Sequence, residues 1–432
     1  MDEARRSADD GDGDDDLLVT GYRRTTLYRN RGDGTFQDVT GPAGVGSDRW
    51  STAAGFADLD GDGDLDLVVI TYVDADPSTA PKCRDSAGRP IHCPPGRFAA
   101  QADHLFRNNG DGTFTDVAAS SGFDAPDGRG LGLAIVDVDD DGLLDIYVAN
   151  DAVPDHLYRN LGGLRFEERG LSAGVAYGGD GQATASMGVV AEDLDGDGRP
   201  DILHTNFRYE GTTLHRNLGD GLFADVTAAS GLDGPTRSVT GFGAAAVDLD
   251  ADGDLDLVMA NGHVDDLSAA GQPMAQPPQV FEATAPGRFA IAPASGYFAR
   301  QFVGRGLAAG DLDNDGRVDL VVVHRDAPSA LLRNELPGGH WLGLSLRGRP
   351  PACRTPVGAL VTCRVGERIL RRRLSAGTGY LSCHDRRIHR PGRGPGRRGA
   401  GNSVAFRGGR AVGKPAGRPL PGSRRRRCRT AW

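Results

Sequence analysis

The chain has 432 residues, a formal net charge of −10 and 64 glycines, about twice the usual share of glycine. No apolar run approaches the ~20 residues that a membrane-spanning helix needs, which argues against a membrane span. Residues 1–389 carry 36 basic and 59 acidic side chains. Because nucleic-acid-binding proteins present a basic stripe, this composition argues against nucleic-acid binding by that part of the chain.

The chain begins with an imperfect copy of an acidic loop that recurs later. Residues 8–16 read ADDGDGDDD, with Ala8 where the later copies have Asp, and no small-residue strand precedes them. Residues 1–8 contain no apolar core, so they do not form a secretory signal peptide. We therefore expect the first repeat to lack its leading strand and to have a damaged loop.

Five nine-residue loops then share the pattern DxDxDGxxD, at residues 58–66, 137–145, 193–201, 248–256 and 311–319. Four carboxylates in so short a loop repel one another, and a hard dication removes that repulsion. Oxygen ligands at alternate positions around a glycine turn are typical of calcium sites. Position 7 varies, which fits a ligand supplied by the backbone carbonyl. The loops therefore predict about five Ca²⁺ sites.

The predicted ligands, at positions 1, 3, 5, 7 and 9 of each loop, are Asp58, Asp60, Asp62, Asp64 and Asp66; Asp137, Asp139, Asp141, Leu143 and Asp145; Asp193, Asp195, Asp197, Arg199 and Asp201; Asp248, Asp250, Asp252, Asp254 and Asp256; and Asp311, Asp313, Asp315, Arg317 and Asp319.

Two other interpretations fit these loops less well. A helix–loop–helix calcium hand requires Glu at position 12, where this chain has Val69, Val148, His204, Met259 and Val322. The residues after each loop are short β-branched runs that indicate strands. The second interpretation, Asp-Gly turns without metal, explains the glycine and one aspartate but not four aspartates in fixed phase.

A second phrase recurs after the loops and completes the repeat. It reads LYRNRGDGTFQDVT at residues 27–40, with copies at 105–118, 157–170 and 214–227 and weaker copies at 280–293 and 331–344. Each copy predicts a strand, a glycine turn and another strand. The Arg-Asn pair within it either caps the turn or lines a binding surface.

One repeat is therefore a small-residue strand, an acidic loop and three further strands. The loops follow one another at steps of 79, 56, 55 and 63 residues, with no helical pattern between them. This period predicts an all-β fold, a β-propeller of six to seven four-stranded blades over residues 1–336.

Four of the six cysteines form two local pairs in the sequence. Cys83 and Cys93 bracket an insertion that accounts for the longest step, and Cys353 and Cys363 bracket another nine-residue span. Both pairs predict disulfides, which form outside the cytoplasm. A zinc site made by Cys353, Cys363, Cys383 and His384 is an alternative, although the chain has no CxxC pair.

Several of these phrases resemble known repeats. The run FGAAAVDLD at residues 242–250 resembles the FG-GAP/VCBS repeats of integrin α-subunits and of bacterial secreted proteins. The runs GHWLGLSLR at 339–347, VGALVTCRV at 357–365 and GTGYLS at 377–382 resemble the ASPIC/UnbV domain. Together they resemble the cartilage acidic protein family and its bacterial relatives.

The resemblance implies a calcium-stabilised propeller followed by a small, incomplete β domain at residues 337–389, without catalytic residues. It also implies export, so we expect that the natural N-terminus and its signal peptide are missing from this chain. The expected location is secreted, periplasmic or at the cell surface.

Residues 390–432 change character abruptly, with 12 Arg, one Lys and no acidic residue. The resemblance implies a Phe-Gly-Leu-Gly phrase and a Trp-Pro strand here, and neither is present. We expect a disordered Arg/Gly/Pro-rich tail that arose from a frameshift. A genuine basic tail that binds nucleic acid or an acidic polymer is the alternative.

The predicted function is adhesion to, or recognition of, an extracellular protein or glycan. No Gly-x-Ser-x-Gly elbow, HExxH motif or Walker loop is present. Because propellers also host catalytic sites in their central channel, a carbohydrate-active lyase or hydrolase is the alternative function.

Overall fold

The fold is an all-β propeller with six blades, the lower of the two numbers that the repeat period predicts. The computed structural model describes residues 15–325, 327–336, 341–348, 355–365, 367–380 and 384, together with four further backbone strands, Glu3–Ser7, Ile388–Pro391, Val404–Arg407 and Lys414–Ala416. The short helices are Thr40–Ala43, Ala118–Ser121, Gly170–Ala173, Thr227–Ser230 and Asp233–Thr236, with 3-10 turns at Pro95–Arg97, Ser268–Ala270 and Gly296–Ala299.

Each blade is an antiparallel sheet whose strands follow chain order from the inside of the ring outwards. Blade 1 contains Glu3–Ser7, Asp16–Gly21, Arg24–Asn30 and Phe36–Asp38; blade 2 contains Ser51–Ala57, Asp66–Thr71, His104–Asn108 and Phe114–Asp116; blade 3 contains Gly130–Val136, Asp145–Asn150, His156–Asn160 and Phe166–Glu168. Blade 4 contains Val189–Glu192, Asp201–His204, Thr213–Gly219 and Leu222–Asp225; blade 5 contains Gly241–Val247, Asp256–Asn261, Gln279–Ala285 and Arg288–Ile291; blade 6 contains Gly304–Gly310, Asp319–His324 and Ala330–Leu332.

The hydrophobic core is divided among the junctions between neighbouring blades. The cluster between blades 2 and 3, for example, includes Leu105, Phe123 and Tyr158, each at most 2% exposed. Equivalent clusters lie at the other four junctions of successive blades. Blades 2 to 5 therefore bury both faces of their sheets, which explains why their second strands are fully buried, mostly apolar runs.

Glycines in or next to the inner strands allow neighbouring blades to approach closely. A Cβ added to Gly188 would lie 2.1 Å from the carbonyl oxygen of Phe242, and one added to Gly132 would lie 2.0 Å from that of Met187. These distances are far below van der Waals contact. The small residues before each acidic loop are therefore needed for blade packing.

Two expectations about the ends of the propeller were wrong. The first blade does have a leading strand, because Glu3–Ser7 pairs antiparallel with Asp16–Gly21. This strand is polar and has no strand-like sequence pattern, and its pairing depends only on backbone groups. At the other end, the weak copy at residues 331–344 predicts that Trp341–Ser345 returns to the last blade, but this strand pairs with Ile388–Pro391 and Lys414–Ala416.

A second β unit follows the propeller. It contains two three-stranded sheets. In one, Trp341–Ser345 lies between Ile388–Pro391 and Lys414–Ala416; in the other, Leu360–Val365 lies between Arg368–Arg373 and Val404–Arg407. The boundaries at 337–389 and 390–432 stay a prediction, although strands beyond residue 390 contribute to both sheets. Cys353 and Cys383 lie outside the described residues, so neither the Cys353–Cys363 disulfide nor the zinc alternative is tested; Cys363 is buried. Residues 8–14 of the imperfect loop also lie outside the described part.

The insertion in blade 2 crosses to blade 5. Its strands pair as Val73–Asp74 with Ala99–Ala100 and Cys83–Arg84 with Pro90–Ile91, and Cys83 and Cys93 form the predicted disulfide. The backbone N–H of His92 donates to Asp265 Oδ1 at 3.0 Å, and the His92 ring Nδ1 lies 2.6 Å from the same oxygen. The insertion therefore contacts a loop of blade 5.

A polar network is buried between blades 3 and 4. His204 Nδ1 lies 2.7 Å from Asn206 Oδ1, and its Nε2 faces His215 Nε2 at 3.4 Å and Asp155 Oδ2 at 3.5 Å. Burial lowers the pKa of His204 to about 3 and that of His215 to about 4. Burial also raises the pKa of Asp155 to about 8. Both imidazoles are therefore neutral in the folded protein at pH 7.

Replacement of His215 by Gln should remove part of the acid sensitivity of the fold. In the unfolded chain His215 gains a proton near its ordinary pKa of about 6.5, whereas the folded imidazole stays neutral down to a much lower pH. The free energy of unfolding of the wild type, relative to His215→Gln, should therefore fall as the pH drops from about 7 to about 5. Urea titrations of both proteins at several pH values measure this, and a constant difference would contradict it.

The substitution Gly188→Ala should destabilise the propeller, because its Cβ would overlap the backbone of the next blade. We expect a loss of about 1–3 kcal/mol in the free energy of unfolding, or more if the blades cannot shift. Gly96→Ala is the matched control, since its Cβ would meet nothing within 4 Å. Equal effects of the two substitutions in urea unfolding would show that blade approach does not depend on Gly188.

Candidate metal-binding loops

All five acidic loops connect the inner strand of a blade to its second strand. In blade 2, for example, the loop follows Ser51–Ala57 and leads into Asp66–Thr71. Because every blade has the same strand order, the five loops lie at one end of the ring, which we call the loop face. The two local features of each loop, its strands and its glycine turn, agree with the sequence analysis.

The folded loops bring carboxylates together. In four loops the side chains at positions 1, 3 and 5 place carboxylate oxygens within 4.8 Å of one another; in the loop 137–145 positions 1, 3 and 9 do so. The clusters are Asp58, Asp60 and Asp62; Asp137, Asp139 and Asp145; Asp193, Asp195 and Asp197; Asp248, Asp250 and Asp252; and Asp311, Asp313 and Asp315. Each is an oxygen-only donor set of the kind that calcium takes.

The backbone closes each loop around the position-1 carboxylate. In the loop of blade 4, Gly198 N–H donates to Asp193 Oδ2 at 3.0 Å and Gly196 N–H donates to Asp193 Oδ1 at 2.7 Å. Gly198 has φ of 98°, and the glycine at position 6 has positive φ in all five loops. That backbone conformation is costly for other residues, which explains the invariant glycine within this chain.

The position-9 aspartates connect each loop to the rest of its blade by hydrogen bonds. Asp201 Oδ2 accepts from the N–H of Leu194 at 3.0 Å, and Asp201 Oδ1 accepts from that of Asn217 at 2.9 Å. The same two bonds occur at position 9 of the other four loops. Burial raises the pKa of Asp201 to about 7. Both oxygens thus have a structural role that the sequence did not indicate, in addition to any role as a ligand.

The position-7 side chains differ among the loops. Arg199 and Arg317 turn back towards the position-5 aspartates, Asp197 and Asp315. Their guanidinium groups therefore offset part of the loop charge where position 7 is not acidic. The ligand role predicted for the backbone at position 7, including Leu143, Asp64 and Asp254, stays a prediction.

The charge of the loops is only partly balanced by the protein. Burial raises the pKa of Asp58, Asp137 and Asp193, and that of Asp248 to about 6. The buried Oδ1 atoms of Asp137 and Asp248 have no hydrogen-bond partner. A buried oxygen without a donor costs free energy, and a bound cation would satisfy it. The residues present therefore fit a hard dication.

The recurring Arg-Asn pairs act on the loops in two ways. Arg159 Nε lies 2.7 Å from Asp139 Oδ2, and Arg333 Nε lies 2.8 Å from Asp313 Oδ2, so these arginines contact the position-3 carboxylates. The asparagine caps the glycine turn, as expected: the Gly162 N–H donates to Asn160 Oδ1 at 2.8 Å.

Three of these asparagines, Asn160, Asn217 and Asn334, also connect loops of neighbouring blades, a role that the sequence analysis missed. Asn160 Nδ2 donates to the carbonyl of Leu144 in its own blade at 3.0 Å and to that of Leu59 in the loop of blade 2 at 2.9 Å. Asn217 makes the same pair of bonds to Pro200 and to Val138 of blade 3. These contacts link successive loops along the loop face, and only the three-dimensional arrangement reveals them.

Comparison with known proteins identifies the repeats. The FG-GAP-like repeat family matches residues 10–69, 97–148 and 137–204. The chain contains FG-GAP repeats. The matched ranges include most of blades 1 to 3, the first two strands of blade 4 and three of the five acidic loops.

Relatives of the FG-GAP propeller are found among curated proteins. Cartilage acidic protein 1 of Homo sapiens is 32% identical over 187 residues, which are 41% of this chain and 26% of that protein. The Xenopus tropicalis protein of the same name is 31% identical over 185 residues, again 41% of this chain and 26% of the relative. The alignment thus spans about a quarter of the length of these relatives.

Two solved structures align with the fold at low identity. An Agrocybe aegerita lectin that recognises non-reducing terminal N-acetylglucosamine has a TM-score of 0.45 and 18% identity, covering 78% of this chain and 81% of the lectin. A Bacillus licheniformis rhamnogalacturonan lyase has a TM-score of 0.34 and 13% identity, and the alignment covers 77% of this chain and 71% of the lyase.

Truncation of Asn160 to Ala should destabilise the protein, because two buried carbonyl groups lose their donor and the glycine turn loses its cap. We expect a loss of about 1–3 kcal/mol in the free energy of unfolding. Asn109→Ala, at an exposed asparagine of the equivalent turn in blade 2, should have a much smaller effect. Equal losses in chemical denaturation would show that the contact between loops contributes nothing.

Proposed function

We propose that the five acidic loops bind calcium and that the ions stabilise the propeller. The observation that carries this proposal is the convergence of three carboxylates in each loop, with oxygens within 4.8 Å of one another. The ligands would be the aspartates at positions 1, 3, 5 and 9 and the backbone carbonyl at position 7. When bound, the ion supplies positive charge that permits the carboxylates to stay ionised at short separation.

The donor set favours calcium over other common metals. The predicted ligands are all oxygens, which disfavours zinc and copper, since these prefer nitrogen or sulfur. Five protein ligands in one loop suit the high coordination number and flexible geometry of Ca²⁺. Mg²⁺ keeps several water molecules and is held by fewer carboxylates.

The proposed role of the ions is structural. Each loop joins the inner strand of a blade to the next strand, and the asparagines connect it to the loop of the neighbouring blade. Neutralising the carboxylates would therefore stabilise both a hairpin and a junction between blades. Since the site forms only in the folded chain, the free energy of metal binding contributes to folding.

We propose further that the propeller is a secreted or surface-exposed recognition module for a protein or glycan. The Cys83–Cys93 disulfide supports an oxidising compartment, and the similarity to cartilage acidic protein 1 supports a role without catalysis. Among the described residues, no helix has the length and apolar character needed to cross a bilayer.

Chelation should lower the melting temperature of the protein. A ligand at a thousand times its dissociation constant stabilises by about 4 kcal/mol per site, so five sites should give a shift of many degrees. Scanning calorimetry in excess calcium and in EDTA measures it, and titration calorimetry gives the number of ions. An identical melt in both conditions would refute calcium as a structural ion.

The double substitution Asp193→Asn with Asp195→Asn should reduce the number of calcium ions bound per molecule by one, because two of the clustered ligands of one loop lose their charge. The matched control is Asp220→Asn, at an exposed aspartate of the glycine turn in the same blade. The control should bind as many ions as the wild type. If the double variant does so too, the blade 4 loop is not a site.

A screen of extracellular proteins and polysaccharides, which measures both binding and product release by the calcium-loaded protein, distinguishes recognition from catalysis. Saturable binding without product release is expected. Product formed at catalytic rates, and lost in EDTA, would contradict the recognition role in favour of a carbohydrate-active enzyme.

A further inference from the structure

The junctions between successive blades are built from the same two faces. The trailing face of one blade contributes a leucine of its third strand, and the leading face of the next blade contributes a phenylalanine of its fourth strand. In four junctions this leucine and this phenylalanine belong to one buried cluster. The pairs are Leu27 with Phe114, Leu105 with Phe166, Leu157 with Phe223, and Leu214 with Phe289. A blade junction is therefore the fit of one trailing face to one leading face.

The trailing face of blade 6 is exposed instead of packed. Leu331, at the position of those leucines, is 67% exposed, whereas the four leucines are at most 2% exposed. Leu312, at position 2 of its acidic loop, is 54% exposed, and its equivalents in blades 2 to 4 are at most 8% exposed. Val323 is 42% exposed, whereas its equivalents in blades 2 to 5 are at most 1% exposed. Three apolar side chains that a neighbouring blade would cover are therefore open to solvent.

The leading face of blade 1 is exposed in the same way. Phe36 is 47% exposed, whereas the phenylalanines at this position in blades 2 to 5 are between 5% and 7% exposed. Leu17 and Val19 on the second strand are only partly buried, although the equivalent residues of blades 2 to 5 are buried. Leu18 lies between them, belongs to the cluster shared with blade 2, and is fully buried. Blade 1 is therefore packed on one face and open on the other.

The hydrogen bond that accompanies a junction is also not formed here. Asn160, Asn217 and Asn334 each donate to a position-2 carbonyl in the loop of the preceding blade. Asn30 is the equivalent residue of blade 1, and its Nδ2 donates to the carbonyl of Asp15 in its own blade at 3.1 Å. Within the described parts of the chain, no hydrogen bond connects Asn30 with Leu312, the position-2 residue of blade 6. The polar part of the junction is thus open as well.

Blade 6 also ends in an edge strand. Its sheet has three strands, whereas the sheets of the other five blades have four, and Ala330–Leu332 is its outermost strand. Leu331 on this strand pairs with Val321, which is only partly buried. An exposed edge with apolar side chains is a template for association with another chain. We call the two exposed faces together the open seam, formed by Leu17, Val19, Asn30 and Phe36 of blade 1 and Leu312, Val321, Val323 and Leu331 of blade 6.

We propose that the open seam is an interface between two copies of this chain. The occupant follows from the repeat, because each exposed face is one half of a junction whose other half the chain itself carries. A trailing face fits a leading face, so a second copy offers the complement of both. A two-fold axis parallel to the axis of the ring places blade 6 of each copy beside blade 1 of the other, as an isologous dimer requires.

The physical basis of the association is burial of apolar side chains. Single exposed leucines need no explanation, but apolar residues exposed together at matched positions of one junction mark an interaction surface. Removing these side chains from water stabilises the dimer, and Asn30 gains an acceptor equivalent to the one that Asn160 has. The proposal depends neither on calcium binding nor on the recognition role, so its failure would leave both intact.

Sedimentation of the calcium-loaded full chain at increasing concentration tests the interface, and a dimer is expected. The double substitution Val323→Lys with Leu331→Lys should weaken dimerisation by about tenfold or more, because it places two charges in the seam. Both side chains are exposed, so the monomer should still fold. Leu171→Lys is the matched control, at a leucine after blade 3 that is 72% exposed, and should dimerise like the wild type.

A variant on the other face tests whether blade 1 takes part. Phe36→Lys should also weaken dimerisation, with a far-ultraviolet circular dichroism spectrum like that of the wild type. A wild type that is monomeric at every concentration would overturn the proposal, and so would seam variants that dimerise as tightly as the wild type. An equal loss in Leu171→Lys would overturn it too, since surface charge alone would then explain the effect.

Photo-cross-linking identifies the contact itself. With the photoreactive p-benzoylphenylalanine in place of Phe36, the reactive ring should attach to the peptide of the other copy that contains Leu331. Unlabelled and isotope-labelled chains are mixed before irradiation, and mass spectrometry should then detect cross-linked peptides of mixed isotope content. Cross-links confined to one isotope would show that blade 1 packs on blade 6 of its own chain, and they would overturn the dimer.

Discussion

Mutual repulsion among the loop carboxylates is the constraint on which the rest of this structure depends. Four or five like charges within nine residues oppose the tight turn that joins the first two strands of a blade. Three kinds of group reduce this repulsion. Backbone N–H groups donate to the carboxylates at positions 1 and 9, and arginines of the hairpins contact the loops. Arginines of the strand Arg368–Arg373 in the second β unit do so as well. Two buried oxygens remain without a donor. The calcium that we propose completes this set, because no side chain carries two positive charges in so small a volume.

Close approach of backbones is the second constraint, and it acts at the inner edge of the blades. Six sheets can share a ring only if their inner strands lie near one another, so glycine and alanine occupy these strands. The same small residues leave room on the channel side, where Gly55 faces Gly377. The small residues that bring the blades together therefore also leave room for residues 374–380 beside the inner strands.

The sequence predicts the local and periodic features well. The acidic pattern, the glycine turn and the repeat spacing together predict strands, loop positions and a ring of six to seven blades, because each depends on residues close in the chain. What it does not predict are contacts between distant segments. Nothing in Asn160 indicates a bond to Leu59, since about a hundred residues separate them, and nothing in GTGYLS indicates a place among the blades. The strand Glu3–Ser7 was missed for a related reason, because its pairing uses only the backbone.

The contact between His92 and Asp265 affects the geometry of the whole ring. In a circle of six blades, the second and the fifth stand opposite each other. Contacts between neighbours set the angle from one blade to the next, and small deviations in those angles accumulate around the circle into an ellipse. The insertion, whose own loop is closed by the Cys83–Cys93 disulfide, makes a direct contact between two opposite blades. It therefore adds a distance constraint along that axis, at the end of the ring opposite the metal loops.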